Sequence, residues 1–189
     1  DLVARATDAD VLVLNKVRID DKAFDSLPKL KLICIFATGY DNIDLISARK
    51  HGVAVCNVPG YSTDSVVLFT VVNVLALYSR LYEYNNFVRS GEYSASGVAN
   101  RLTPVYHELR GKTWGIVGLG NIGRAVAKVA EAFGAKVIAY KKTPVEDYEC
   151  VGIDELCKRS DIITLHCPLN DGTRNLISKD RIAHMKKDV

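Results

Sequence analysis

The stretch GIVGLGNIGRAVAKVAEAFGAKVIAYKKTP, residues 115–144, decides the fold of this chain. An apolar run, TWGIVG (113–118), leads into it through a glycine-rich turn. The segment that follows carries apolar residues at every third or fourth position, and a second apolar run, AKVIAY (135–140), comes after it. The pattern predicts a strand, a tight turn, an amphipathic helix and a second strand, which together form a βαβ unit of a parallel sheet.

The turn, GLGNIG, fits the pattern GxGxxG. When it lies between a strand and a helix, this pattern is typical of dinucleotide binding. Gly118 permits the tight turn, Gly120 lets the backbone approach a pyrophosphate, and Gly123 lets the helix pack closely on the strand. Unpaired N–H groups near Asn121 and Ile122 are predicted to point at the phosphates. The simpler alternative is an ordinary strand–turn–helix corner.

The end of the second strand departs from the usual dinucleotide site. An Asp or Glu there normally accepts a hydrogen bond from the ribose 2′-OH, whereas this chain has Lys141 followed by Lys142. An ammonium group is only a donor, and it can bind a 2′-phosphate as a point charge. The two lysines therefore slightly favour NADP over NAD. In the alternative, both lysines are solvated, and NAD is held by the backbone or by Glu146 or Asp147.

Another series of strands and helices, the first along the chain, precedes the series that contains the glycine-rich turn. Three short runs rich in Val, Ile and Leu are nearly continuously apolar, which predicts parallel strands covered on both faces. The helix after them, which Thr63 can cap, is apolar nearly all round from Val66 to Tyr78, so it is expected to be buried in a core or against another subunit. The strands are predicted at 10–16, 30–38 and 52–58, and the helices between them at 20–28 and 42–52.

The fold class is therefore α/β, in two parts. Pro59-Gly60 is a strong helix and strand breaker and predicts a boundary near Gly60, with one domain over residues 1–59 and another over residues 60–189. The polar segment 94–112 is predicted to be an irregular arm. After the second strand of the glycine-turn unit, the pattern predicts a helix at 152–160, a strand at 161–167 and a helix at 178–187, and the helix inside that unit is predicted at 121–133.

Two strand ends offer further candidate site residues. Thr38 and Gly39 end the second strand of the first series, and Cys167 and Pro168 end the third strand of the second series. Ligands of open α/β sheets bind outside the carboxyl ends of the strands. We therefore expect these four residues to lie near a bound ligand, and Pro168 to shape a nicotinamide pocket. Ordinary βα turns are the alternative.

The composition excludes several classes of protein. The net charge of +3 is too small, and the Lys and Arg residues too scattered, to predict a nucleic-acid partner. No run is long and apolar enough to predict a membrane span, and no signal peptide is visible. The five cysteines form no CxxC pair and are expected to be reduced thiols, not disulfides or metal ligands, in a soluble cytoplasmic protein. The chain begins inside a predicted helix and ends just where a further strand is expected, so a fragment of a longer protein is expected.

Three stretches together carry a family resemblance. The chain resembles the D-isomer-specific 2-hydroxyacid dehydrogenases over essentially its whole length. The stretch CNVPGYSTDSV is most similar to the branch of glycerate dehydrogenases and hydroxypyruvate reductases. The three stretches are ATGYDNIDLISARKHGVAVCNVPGYSTDSV (37–66), ELRGKTWGIVGLGNIGRAVAKVAEAFGAKVIAY (108–140) and SDIITLHCPLNDGTRNLIS (160–178).

The resemblance implies a Rossmann-like, doubly wound parallel sheet for the cofactor and part of a flavodoxin-like substrate domain, with a cleft between them. It also implies a homodimer, to which the helix after Gly60 contributes. The implied activity is NAD(P)-dependent hydride transfer between the nicotinamide cofactor and a small 2-keto or 2-hydroxy acid. Hydroxypyruvate with D-glycerate, and glyoxylate with glycolate, are the implied substrate pairs.

Residue roles follow from the resemblance position by position. The backbone amides of Thr38 and Gly39 would meet the substrate carboxylate, and Thr38 would also lie near the cofactor. Asn121 and Ile122 match the pyrophosphate-binding pair, and Lys141 stands where NAD-dependent members have the ribose-binding acid. Cys167 and Pro168 match the loop beside the nicotinamide half of the cofactor.

No catalytic residue and no metal ligand is assigned within the chain. In the family an Arg holds the substrate, a His is the general acid and base, and a Glu orients that His, and all three lie downstream of MKKDV. None of the four histidines, His51, His107, His166 and His184, occupies the catalytic position. The chain by itself is therefore expected to be inactive.

Two other functions remain open. Dinucleotide-sensing transcriptional corepressors of the C-terminal-binding protein type share the fold, and GYDNIDLISARKHGVAVCNVP suits them as well. A remnant that only binds a dinucleotide is the third possibility.

Overall fold

The computed structural model describes residues 2–189, which divide into two compact units. The first unit contains the chain up to Ser62 together with Pro168–Arg174. The second contains Thr63–Cys167 and Asn175–Val189. The two units are described separately below.

The first unit is a three-stranded parallel sheet with helices. The strand order is β1-β2-β3, and β2 pairs with both neighbours through residues such as Ile33, opposite Leu12 and Val55. One core joins the strands and all three helices. The elements are α1 (Leu2–Ala6), β1 (Val11–Leu14), α2 (Asp21–Asp25), β2 (Leu32–Ile35), α3 (Leu45–Lys50) and β3 (Ala54–Cys56).

Among the described residues of this unit, only one face of the sheet is covered. The prediction that its strands are covered on both faces is therefore wrong. Ile33 and Ile35 of β2 are buried in the core beneath the helices. On the other side, Val11, Val13 and Phe36 are exposed, Phe36 to 65%. The apolar runs were expected to be covered on both faces, but the helices within this unit join a single core on one side of the sheet.

His51 connects α3 to α2. Its Nδ1 lies 2.9 Å from the carbonyl oxygen of Ser47, and its Nε2 lies 3.0 Å from a carboxylate oxygen of Asp25. Both neighbours are acceptors, so only the imidazolium form can donate to both. The carbonyl of Ser47, and after it the carboxylate of Asp25, raise the pKa of His51. The ring also stacks on Phe24 at 5.6 Å.

This arrangement predicts a pH-dependent contribution to stability. The His51 contribution is fully present below the pKa of an unfolded histidine, about 6.5, and is lost as the pH rises through the higher pKa of the folded state. Urea unfolding measured over a pH series should show this loss, and His51→Gln should remove it. His107→Gln is the control, because it leaves the Ser47 and Asp25 contacts intact. Identical pH profiles for wild type and His51→Gln would contradict the prediction.

The second unit is a four-stranded parallel sheet in the order β6-β5-β4-β7. Its helices cover both faces, since α4 and α7 share one core with β4 and α8 packs in another. This is the predicted Rossmann-like, doubly wound arrangement. The elements are α4 (Thr63–Tyr78), α5 (Leu81–Arg89), α6 (Glu92–Ser96), β4 (Thr113–Val117), α7 (Asn121–Ala132), β5 (Lys136–Tyr140), β6 (Glu149–Cys150), α8 (Ile153–Arg159), β7 (Ile162–Leu165) and α9 (Lys179–Ala183).

The predicted strands and helices are present, most of them with narrower bounds, and the short strand β6 is an addition. The irregular loop or arm predicted at 94–112 carries no helix or strand over 97–112, but the prediction is wrong for 94–96, which end helix α6. The helix after Gly60 is not continuous: it breaks between α4 and α5, where Arg80 has a φ of 55°. Among residues 2–189 no single helix could cross a membrane by length and composition; α4 and α5 would do so only as a pair, which is bent by 67°.

Helix α4 differs from the prediction in its burial. In the chain by itself only Val74 and Ala76 are buried, whereas Leu68, Phe69 and Leu77 are 60–70% exposed. Its apolar residues surround the helix, and within the chain it is covered mainly on the side that packs on α7 and their shared core. The prediction that α4 is buried in the core of its own chain is therefore wrong for most of the helix. Its burial against another subunit stays a prediction.

Candidate functional site

The glycine-rich turn joins β4 to α7 at the carboxyl end of the sheet. Gly118 has a φ of 96°, a conformation that only glycine adopts readily, and its N–H donates to the carbonyl oxygen of Tyr140 at 2.9 Å. A Cβ on Gly118 would lie 2.7 Å from backbone atoms of His166 and Cys167. The turn after β4 therefore packs directly on the backbone that follows β7.

The other two glycines of the motif have opposite surroundings. A Cβ on Gly123 would lie 2.1 Å from the carbonyl oxygen of Gly118, so glycine is required there for helix and strand to approach. A Cβ on Gly120 would meet no described atom within 4 Å. Gly120 faces open space at the start of α7, as expected where a ligand approaches the backbone.

The first turn of α7 offers donors to such a ligand. Gly120 is the N-cap of the helix and supplies no side-chain acceptor. Within residues 2–189, the backbone N–H groups of Asn121 and Ile122 have no hydrogen-bond acceptor. Free N–H groups together with the positive end of the helix dipole favour an anion such as a pyrophosphate. The chemistry of the turn thus fits a dinucleotide.

Charged residues surround the end of β5. Lys141 is partly buried and Lys142 is exposed, directly after the strand. Asp147, further along the same loop, accepts hydrogen bonds from both Nη atoms of Arg124 in α7, with Nη2 at 3.4 Å from Oδ1. This contact, with a smaller contribution from Lys141, lowers the pKa of Asp147. Among the acidic residues proposed for an NAD ribose, Asp147 is therefore already paired.

The loop after β7 brings Cys167 to the glycine turn. The His166 N–H donates to the carbonyl oxygen of Val117 at 2.7 Å, which extends the β4–β7 pairing by one residue. The His166 ring is buried enough to lower its pKa, and its Nε2 has no hydrogen-bond partner among the described residues. In the part of the chain that the structure describes, no acidic side chain bonds to the His166 ring, so none orients it as a general base.

Thr38 and Gly39 lie in the first unit, after β2. The hydroxyl of Thr38 donates to the carbonyl oxygen of Val58 at 3.1 Å, and the side chain of Asn57 donates to the carbonyl oxygen of Thr38 at 2.8 Å. Both residues are exposed, and their N–H groups have no acceptor within residues 2–189. Pro168 groups with this first unit, where its carbonyl oxygen accepts a hydrogen bond from Thr173 at 2.6 Å.

A cavity of about 320 Å³ elsewhere in the second unit is not part of this site. It is lined by the end of α4, the segment before β4 and Phe133 at the end of α7. These residues lie at the amino end of β4, whereas the glycine turn follows its carboxyl end.

The sequence did not predict a role for Arg124 or its pairing with Asp147, although Asp147 itself is one of the candidates for an NAD ribose. The residue directly after GxGxxG carries no expected role, and Asp147 is 23 residues away along the chain. No spacing rule links them, because their contact depends on the path of the loop between β5 and β6.

Comparisons with known proteins identify relatives over the whole chain. Residues 71–189 match the family model described as D-isomer specific 2-hydroxyacid dehydrogenase, NAD binding domain. A hydroxypyruvate reductase from Blautia hydrogenotrophica is 35% identical over 100% of this chain and 60% of the relative. A glyoxylate reductase from Thermococcus litoralis is 39% identical over 100% of this chain and 59% of the relative. The chain thus spans less than two thirds of the length of either relative.

Solved structures also resemble the chain over nearly its whole length. A D-lactate dehydrogenase from Aquifex aeolicus, complexed with NAD and lactic acid, superposes with a TM-score of 0.87 at 32% identity, over 97% of this chain and 56% of that one. An acyclic imino acid reductase in complex with NADPH and D-Arg superposes with a TM-score of 0.86 at 30% identity, over 97% of this chain and 59% of that one. Structures similar to this chain therefore include one that holds NAD and one that holds NADPH.

Proposed function

Because the chain belongs to the D-isomer-specific 2-hydroxyacid dehydrogenase family, we propose that it is part of an NAD(P)-dependent oxidoreductase acting on the CH–OH group of small 2-hydroxy acids. Hydroxypyruvate with D-glycerate, and glyoxylate with glycolate, are the proposed substrate pairs. The observation that carries the proposal is the turn at the start of α7, where Gly120 faces open space beside the free N–H groups of Asn121 and Ile122.

The roles of the two parts follow the family. Residues 60–189 would form the cofactor domain, in which the turn from Gly118 to Gly123 holds the pyrophosphate. Residues 1–59 would form part of the substrate domain. When bound, the cofactor supplies the hydride chemistry, and the protein supplies position and charge.

The strand-end loops would contact the reactive groups. The free N–H groups of Thr38 and Gly39 are suited to a carboxylate, which is the group that all the proposed substrates share. Thr38 would also lie near the cofactor. Cys167 and Pro168 would line the nicotinamide half, since Cys167 follows the strand beside β4.

Binding and turnover test this proposal separately. We expect the 189-residue chain to bind NADH or NADPH in a fluorescence titration and to reduce neither hydroxypyruvate nor glyoxylate, because it contains no residue at the family's acid/base position. The hydroxypyruvate reductase of Blautia hydrogenotrophica is the positive control for the assay. Failure to bind either dinucleotide would contradict the proposed cofactor site. Turnover by the chain would contradict the proposed absence of an acid/base residue.

We further propose that the cofactor is NADP. Lys141 and Lys142 follow β5 where an acid would bind the ribose of NAD, and Asp147 is paired with Arg124. A 2′-phosphate placed there would meet cationic side chains.

Lys141→Asp should therefore shift the preference toward NADH. We expect the ratio of the Kd for NADPH to that for NADH to rise by about tenfold, because one attraction to the 2′-phosphate is replaced by a repulsion. Lys136→Asp is the matched control, since it makes the same charge change at the opposite end of β5. An unchanged ratio in Lys141→Asp would show that these lysines do not select the cofactor.

A homodimer is the proposed assembly, with α4 in the interface. Phe69 and Leu77 are 66% and 70% exposed on a helix that is apolar nearly all round, and such side chains are normally covered. We expect the chain to sediment as a dimer, and Leu77→Glu to yield monomers with an unchanged circular dichroism spectrum. Sedimentation of the wild-type chain as a monomer would contradict the proposal.

A further inference from the structure

The Arg124–Asp147 pair lies beside the dinucleotide turn, and the proposed function assigns no role to Arg124. Arg124 directly follows Gly123, in the first turn of the helix whose N–H groups are suited to the pyrophosphate. Its guanidinium contacts both carboxylate oxygens of Asp147 in a fork-like arrangement and lies 5.9 Å from the centre of the Tyr148 ring. The cation is therefore held next to the phosphate-binding turn.

The loop from Lys141 to Asp147 brings the relevant charges together. Lys141 begins the loop, and its charge acts on Asp147 near the loop's end. Asp147 pairs with Arg124, so two cations act on one carboxylate. Lys142 adds a third cation to the same segment. Glu146 lies in the same loop, so three cations, including Arg124 from α7, stand against two acids, and the remaining positive charge is reduced by Asp147.

The pair is accessible to exchange. The side chains of Arg124 and Asp147 are 37% and 53% exposed. Ion pairs this exposed contribute little to stability, because water solvates both partners well when they separate. A phosphate offers the guanidinium a doubly charged acceptor with the same fork geometry. A ligand phosphate can therefore replace the carboxylate at small cost.

We propose that Arg124 is a third cation of the 2′-phosphate subsite and that Asp147 is its resident counter-ion, so that the 2′-phosphate of NADP and the Asp147 carboxylate compete for one guanidinium. The inference rests on the proposed function in that a dinucleotide binds at the glycine turn. The competition makes Asp147 a residue that limits NADP affinity, although it has no contact with the reacting atoms.

The alternative role for Asp147 makes a different prediction. If its carboxylate instead accepts a hydrogen bond from the ribose 2′-OH of NAD, its removal weakens NADH binding. In the competition proposal, its removal leaves NADH binding unchanged and strengthens NADPH binding.

Fluorescence titration of four variants with NADH and NADPH tests the proposal. Arg124→Met should weaken NADPH binding by about threefold, and Asp147→Asn should strengthen it by about threefold. Neither change should alter the Kd of NADH. Asp147→Asn made in the Arg124→Met background should bring a clearly smaller gain, because only the repulsion between the carboxylate and the 2′-phosphate is then removed. Glu149→Gln is the matched control: it removes an acid two residues along the chain that pairs with Arg159 instead, and should change neither Kd.

Three results would overturn the proposal. These are an unchanged Kd of NADPH in Asp147→Asn, an equal gain in the Arg124→Met background, and weaker NADH binding in Asp147→Asn. A wild-type preference for NADH would contradict the proposed use of NADP but would not decide the role of the Arg124–Asp147 pair. Asp147→Asn decides that role, because loss of the counter-ion must strengthen NADPH binding whichever cofactor the wild type prefers. If the wild-type chain bound neither NADH nor NADPH, both the proposed cofactor site and the proposed competition for Arg124 would be overturned.

Discussion

Gly123→Ala should destabilise the second unit by about 1–3 kcal/mol and abolish measurable dinucleotide binding. The added Cβ would lie 2.1 Å from the carbonyl oxygen of Gly118, and backbone atoms cannot rotate away as a side chain can. Either α7 moves off the sheet or the turn changes shape. Both outcomes displace the N–H groups of Asn121 and Ile122, so stability and binding should be lost together.

Gly120→Ala is the matched variant for this experiment. Its Cβ would meet no described atom within 4 Å, and the φ of Gly120 is −89°, which alanine adopts without strain. We expect the free energy of unfolding to stay within about 0.5 kcal/mol of wild type, while dinucleotide binding weakens because the methyl group occupies the ligand's approach. Thermal unfolding by circular dichroism and fluorescence titration measure the two properties. If Gly120→Ala bound cofactor as wild type does, the turn would not be the binding site.

Trp114→Ala should cost about 3–5 kcal/mol of stability. Trp114 is fully buried in the core shared by β4, α4 and α7. Its indole N–H donates to the Thr164 hydroxyl at 3.0 Å, which connects the beginning of β4 to the end of β7. Alanine leaves a large cavity there and removes the hydrogen bond.

Two further variants separate packing from hydrogen bonding at this position. Thr164→Val keeps the volume but leaves the indole N–H without an acceptor, so a smaller loss of about 1–3 kcal/mol is expected. Tyr82→Ala truncates an aromatic side chain that is 67% exposed and should cost little. Urea unfolding followed by circular dichroism gives all three values. A cost for Trp114→Ala no greater than for Tyr82→Ala would mean that this core does not stabilise the unit.

Much of the second unit could be predicted because its signals are local. The apolar run of β4, the turn to Gly123 and the apolar face of α7 lie within 20 residues, and each obeys a rule of spacing or of backbone geometry. The strands ending near Thr38 and Cys167 could also be predicted, since a strand and its turn need only neighbouring residues.

The exposure of α4 and of the first sheet's open face could not be predicted in the same way. An apolar helix such as Thr63–Tyr78 has the same sequence whether its own chain or a partner covers it. Val13 and Phe36 likewise are predicted to be core residues from their hydropathy, although both are exposed in the structure. Hydropathy indicates a preference for burial, but it does not indicate whether another element covers the side chain.

The sequence by itself determined the family, the α/β fold class and the strand–turn–helix unit, because residues close along the chain specify them. The motif predicts separate roles for Gly120 and Gly123, and the tertiary structure supplies the contacts behind them: a Cβ on Gly123 would meet the carbonyl oxygen of Gly118, whereas a Cβ on Gly120 would meet no described atom within 4 Å. Only the tertiary structure brought Asp147 to Arg124. Contacts of this kind depend on the path of a loop through space, which residue spacing does not encode.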